Sequence, residues 1–129
     1  MTRRRYDEHS TEFGLWLREQ EPIASKLGYV ATNLDYIWSN YKTGEWMLIE
    51  EKRYNAKMTF AQTEQFRALH CAAISDPLYR GFHLVVFEVT SPTDGVIRIN
   101  NEVVTELELI DFLMFKTRRE PYFNEPVLV

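Results

Sequence analysis

Asp35, Glu50 and Lys52 stand where a single β-hairpin can bring two carboxylates and an ammonium together. Tyr41-Lys42-Thr43-Gly44 between them reads as a tight turn, because glycine supplies the positive φ that hairpin loops use. Side chains alternate along a strand with period 2, so the register decides which of them share a face. A two-residue turn at Thr43-Gly44 sets Asp35 opposite Lys52, whereas a four-residue loop over 41–44 sets it opposite Glu50. In both cases the three residues fall on one face, and a loop of odd length would separate them. Carboxylates beside an ammonium can hold a divalent cation through oxygen ligands and set positive charge next to an attacking water. That is the chemistry of phosphodiester hydrolysis. An exposed hairpin with a cross-strand ion pair would carry the same residue types. The run Met47-Leu48-Ile49 leading into Glu50 favours the chemical reading: it predicts a strand buried on both faces, where charge needs a partner.

These residues resemble the PD-(D/E)XK nuclease superfamily, whose signature is an aspartate at the start of one strand and Glu-x-Lys on its hairpin partner. Leu34 stands where the name-giving proline would be, a position at which the superfamily varies. The resemblance implies a restriction-endonuclease-like α/β core, a mixed central sheet flanked by helices in the order α-β-β-β-α-β. It also implies Mg²⁺- or Mn²⁺-dependent cleavage of DNA or sometimes RNA. Carried over, Asp35 and Glu50 would bind the metal, the main-chain carbonyl of Glu51 would add a ligand, and Lys52 would orient water or stabilise developing charge. The superfamily commonly adds a glutamate from the first helix, for which Glu12 is the candidate and Glu19 lies farther round. Several branches place a glutamine on the helix after the hairpin; Gln62 with Phe66 looks like a variant of that element, and Gln65 is the alternative.

The elements that must position these groups can be read along the chain. Ser10 can cap a helix with Phe13, Trp16, Leu17 and Gln20 on one face, ending near Pro22, and Gly28 can stop a short second helix. Tyr29-Val30-Ala31 is a stub of strand before Asp35. Thr59-x-x-Gln62 is a capping box that opens a helix to about Ile74, with Phe66, Leu69 and Ala73 as its apolar stripe. Gln62 therefore has two roles open to it, cap and site. Gly81 to Val89 is the strongest strand, apolar on both faces, and is expected in the centre of the sheet beside the hairpin. His83 within it reads as a hydrogen-bonded or exposed strand-end histidine, since no second histidine sits at ligand spacing. A small hairpin around Asn100-Asn101 follows, then a second capping box, Thr105-x-x-Glu108, opening a helix with Leu109, Ile110, Leu113 and Met114 as apolar positions.

At 129 residues with 45% hydrophobic content, the chain fits one nuclease-like domain over 1–129, with a basic tail at 1–9 and a C-terminal tail at 117–129. No stretch approaches the roughly 18 apolar residues of a membrane span, so a soluble, cytoplasmic protein is expected. The single Cys71 lies in an apolar helical pattern and reads as a buried structural thiol. A net charge of −4 means that DNA binding needs a local basic surface, for which Arg3-Arg4-Arg5, Lys52-Arg53, Lys57 and Lys116-Thr117-Arg118-Arg119 are candidates. So short a chain has little dedicated DNA-reading surface, which points to a homodimer or an accessory protein. The competing reading is a non-catalytic protein- or nucleic-acid-binding module on a nuclease-like scaffold, using the aromatic surface around Trp38, Tyr41, Trp46 and Tyr54. Glycine-rich phosphate loops, Cys/His zinc spacings and Gly-x-Ser-x-Gly elbows are absent from the sequence.

Overall fold

The β-branched, doubly apolar run from Gly81 to Phe87 lies in the middle strand of the sheet, and Glu88 and Val89 fall beyond its end. The computed structural model describes residues 11–123. Its elements are α1 (Glu12–Glu19), β1 (Tyr36–Ser39), β2 (Trp46–Lys52), α2 (Phe60–Ala73), β3 (Tyr79–Phe87), β4 (Ile97–Ile99), β5 (Glu102–Val104) and α3 (Glu106–Leu113). The five strands lie in the order β1-β2-β3-β4-β5. β2 and β3 run parallel, joined through α2, and every other neighbouring pair is antiparallel. The chain divides into two compact units at Asn33/Leu34, and the sheet, α2 and α3 all belong to the second.

Period-2 alternation divides β2 and β3 between two cores. Met47, Ile49, Val85 and Phe87 pack with Ile97, Ile99 and Val104 and with Leu109 and Phe112 of α3. Leu48 and Phe82 pack with Phe66 of α2 and with Phe123 from the chain's C-terminal segment. Phe66 and Phe82 stack at 5.0 Å, and burying each such ring contributes about 2–3 kcal/mol. Glu50 and Lys52 continue the Leu48 face, so the alternation that builds the core also turns both charges toward α2.

Several expectations are corrected. Two strands, not three, precede the middle helix: residues 29–31 form no strand, and Tyr29 and Val30 are exposed instead of facing a core. The observed order is therefore α-β-β-α-β-β-β-α. Thr11 caps α1, its hydroxyl accepting from Gly14 N at 3.0 Å, and Ser10 lies outside the described residues. The buried residue of α1 is Leu15, while Phe13 and Trp16 are exposed and stack on each other at 6.0 Å. On α2 the buried line is Phe66 and His70, one turn apart, which leaves Leu69 and Cys71 facing solvent. Cys71 is thus an exposed thiol. The Asn100-Asn101 hairpin is present, with φ of 51° and 71° at the turn. From 117 to 123 the C-terminal segment packs on the second unit: Tyr122 N donates to Phe82 O at 2.9 Å and Phe123 is buried. No helix among the described residues is long and apolar enough to cross a membrane.

Candidate metal and catalytic site

The β1–β2 loop has the four-residue form. Asn40 N donates to Glu45 O at 2.9 Å, and Gly44 N donates back to Asn40 O at 2.8 Å. Gly44 has φ +83°, and a Cβ there would meet Leu78 Cδ1 at 2.9 Å, so the turn requires glycine twice over. The register pairs Tyr36 with Ile49, and one further step brings Asp35 beside Glu50.

The ladder ends at that point for a chemical reason. Hydrogen-bonded pairs alternate in an antiparallel hairpin, so the Asn40–Glu45 bond sets the next position for Glu51 opposite Leu34. The Glu51 N–H is instead accepted by Asp35 Oδ2 at 2.8 Å, while Asp35 N donates to Glu50 Oε1 at 3.2 Å. Each carboxylate thereby fixes the other's strand. The same phase turns the Glu51 carbonyl toward the β1 side, where Leu34 N does not return a bond.

Gln62 joins from α2. Its Oε1 accepts from Thr59 N at 3.0 Å, closing the capping box, and from Lys52 Nζ at 2.9 Å. Its Nε2 lies 3.5 Å from Glu50 Oε2, and Lys52 Nζ is 3.6 Å from the same oxygen. One side chain, that of Gln62, therefore both closes the capping box and reaches Lys52 and Glu50. Asp35, Glu50, Lys52 and Gln62 come together.

Glu50 is only 2% exposed, and burial followed by the Asp35 charge pushes its pKa up to about 7. The Asp35 N–H and the Lys52 ammonium pull the other way and are outweighed. Burial and the Asp35 charge thus favour the protonated form of this carboxyl, and an added cation would favour the carboxylate.

The Glu51 side chain takes the opposite face of β2, accepting from Tyr36 OH at 3.2 Å and pairing with Arg53 Nε at 2.8 Å, and its charge raises the Tyr36 pKa. Glu12 sits exposed in the first turn of α1, in the first unit. His83 is buried on the α3 face, where Nε2–H donates to Arg80 O at 2.8 Å and Nδ1 accepts from the Asn100 amide at 2.9 Å. Among the described residues no group of three or more His, Cys, Asp or Glu side chains is arranged to hold a metal. The carboxylates brought together here are two, those of Asp35 and Glu50. Of the basic runs, Arg3-Arg4-Arg5 lies outside the described residues, Arg53 is paired with Glu51, and Arg119 is paired with Glu102 at 3.3 Å. Sequence reasoning missed Tyr36 and Arg53 as the residues bracing Glu51; alternation along the hairpin was the signal that places Tyr36 with it. No protein-family model, curated protein or solved structure matches this chain.

Proposed function

We propose that this chain is a Mg²⁺-dependent nuclease of the PD-(D/E)XK kind, on a restriction-endonuclease-like scaffold, that hydrolyses phosphodiester bonds in DNA. The observation that carries this reading is the buried Glu50, braced against Asp35 and approached by Lys52 and Gln62, with its pKa raised to about 7. The donor set suits the group. Mg²⁺ is commonly held by one or two carboxylates with the rest of its shell from water and phosphate, so a cage of three acidic side chains is not needed. Asp35 and Glu50 would hold the ion, with the Glu51 carbonyl beside them. When bound, the ion neutralises phosphate charge and makes a water more acidic. Lys52 stabilises negative charge developing on the phosphate, and Gln62 holds the Lys52 ammonium in place at 2.9 Å. Because Gln62 is also the cap residue of α2, its position is fixed by the helix itself.

The test is cleavage of labelled linear, nicked, single-stranded and branched DNA with and without Mg²⁺. Asp35→Ala, Glu50→Ala and Lys52→Ala are expected to lose at least about a hundredfold in rate while keeping the wild-type circular dichroism spectrum. Full Mg²⁺-dependent activity in all three sinks the reading. A binding module is the second reading, favoured by the exposure of Trp38, Tyr41 and Tyr54 on and beside the hairpin. Under it, millimolar Mg²⁺ or Mn²⁺ leaves the thermal midpoint unchanged, whereas a metal site raises it.

A further inference from the structure

A second polar feature lies away from Glu50, around the first residues of β3. A cavity of about 250 Å³ there is bordered by Arg80, Arg118 and Arg119 and, among the described residues, by no aspartate or glutamate. In a chain of net charge −4, such one-signed lining is not the expected average. Two of the arginines are committed elsewhere: Arg80 Nε pairs with Glu45 at 3.0 Å, and Arg119 reaches Glu102 at 3.3 Å and Glu108 at 3.9 Å. Arg118 makes no ion pair among the described residues. Arg119 Nε is buried without a hydrogen-bond partner, a donor that folded proteins rarely leave unmet.

The walls are built at backbone cost. Phe115 follows the end of α3 with φ +59°, in the left-handed region where glycine is usual, and yet places an aromatic ring at the cavity. Gly81 has φ +103°, and a Cβ there would strike Pro121 at 2.9 Å and His83 Nε2 at 3.2 Å, so only glycine lets the 117–121 segment close the cavity. The C-terminal end of α3 would repel an anion, but its carbonyls are occupied: Ile110 O, Asp111 O and Phe112 O accept from Met114, Lys116 and Phe115, and Leu113 O accepts from Trp38 Nε1 at 2.7 Å.

We propose that this cavity binds a small organic anion, its phosphate or carboxylate group on Arg118 and the Arg119 Nε–H and its flat apolar body against Phe112 and Phe115. The cavity exceeds the space a bare anion needs, and the aromatic lining selects for a ring. This site is independent of the metal-site reading, since none of Asp35, Glu50, Lys52 or Gln62 borders it.

The full 129-residue chain is titrated by calorimetry with inorganic phosphate, phenyl phosphate and benzoate at fixed ionic strength. Phenyl phosphate or benzoate is expected to bind about tenfold more tightly than inorganic phosphate, and whichever of the two binds better assigns the head group. Arg118→Ala, at an exposed position, and Arg119→Gln should each weaken binding about tenfold, and Phe115→Gly, which relieves the φ strain, should abolish the advantage of the ring. Lys52→Ala should leave binding unchanged. No saturable binding of any probe up to about 10 mM, or affinity that is unaltered by the arginine variants, overturns the proposal.

Discussion

Glu50 and His83 are buried almost equally, at 2% and 1% exposure, in adjacent strands one residue apart in register, and burial disfavours the charged form of both. The difference lies in what surrounds them. His83 is pushed down to about 4, chiefly by desolvation, and its neutral ring finds one acceptor in Arg80 O and one donor in the Asn100 amide. Environment and protonation state agree. Glu50 is pushed up to about 7, yet the groups at its oxygens are donors suited to an anion: Asp35 N–H, the Gln62 amide and the Lys52 ammonium. Burial and Asp35 favour the acid while these donors favour the carboxylate. A buried group whose partners match its neutral state holds a fold together; one left between two states is prepared for a ligand that brings charge.

The comparison breaks first at Asn100. Its Oδ1 accepts from Leu84 N at 2.8 Å and its Nδ2 donates to His83 and to Glu120 O, each at 2.9 Å. Asn100→Gly keeps the left-handed turn but strands these groups, and is expected to cost about 3 kcal/mol in urea unfolding while leaving the proposed Mg²⁺ binding intact. A loss below about 1 kcal/mol would mean that the histidine network is not structural.

The next effect is smaller and depends on pH. The folded pKa of Glu50 is raised from 4.5 to about 7, so its contribution to stability is fully present below pH 4.5 and is lost as pH rises through 7. Glu50→Gln removes that loss and should stabilise the protein by about 2 kcal/mol at pH 8, with the gain shrinking toward zero near pH 4.5. For His83, lowered from 6.5 to about 4, the contribution is present above pH 6.5 and is lost as pH falls toward 4. The two slopes offset each other in the wild type between about pH 4.5 and 6.5, and the histidine slope should emerge in Glu50→Gln. Denaturant midpoints measured across pH check this; parallel profiles for the two proteins would show that Glu50 is not perturbed.

The Glu50 side of the comparison was largely legible in the sequence, because a hairpin is local. Gly44 and alternation along β2 act within a few residues and put Asp35, Glu50 and Lys52 on one face for a loop of even length, while the Thr59/Gln62 capping box gave Gln62 its cap and only the resemblance placed it near Lys52. The His83 side was not. Its partners are Arg80 O and an amide at the Asn100 turn, and a histidine in an apolar strand carries no mark of such a partner. His70 was passed over for the same reason: the helical pattern of Leu69 and Ala73 looked apolar, yet the buried position is the histidine, bonded to Tyr79 OH at 2.7 Å. The missing strand at 29–31 and the exposure of Cys71 turn on which neighbours arrive from elsewhere in the chain, which local propensity does not encode.

The most direct test is an NMR titration of the Glu50 side-chain carboxyl carbon with and without Mg²⁺. The account predicts a midpoint near pH 7 in the metal-free protein. Saturating Mg²⁺ should move it down by at least about one pH unit, because the ion takes over the role that the proton plays beside Asp35. A midpoint near 4.5, or one near 7 that Mg²⁺ does not move, would contradict a metal site at the Asp35–Glu50 pair.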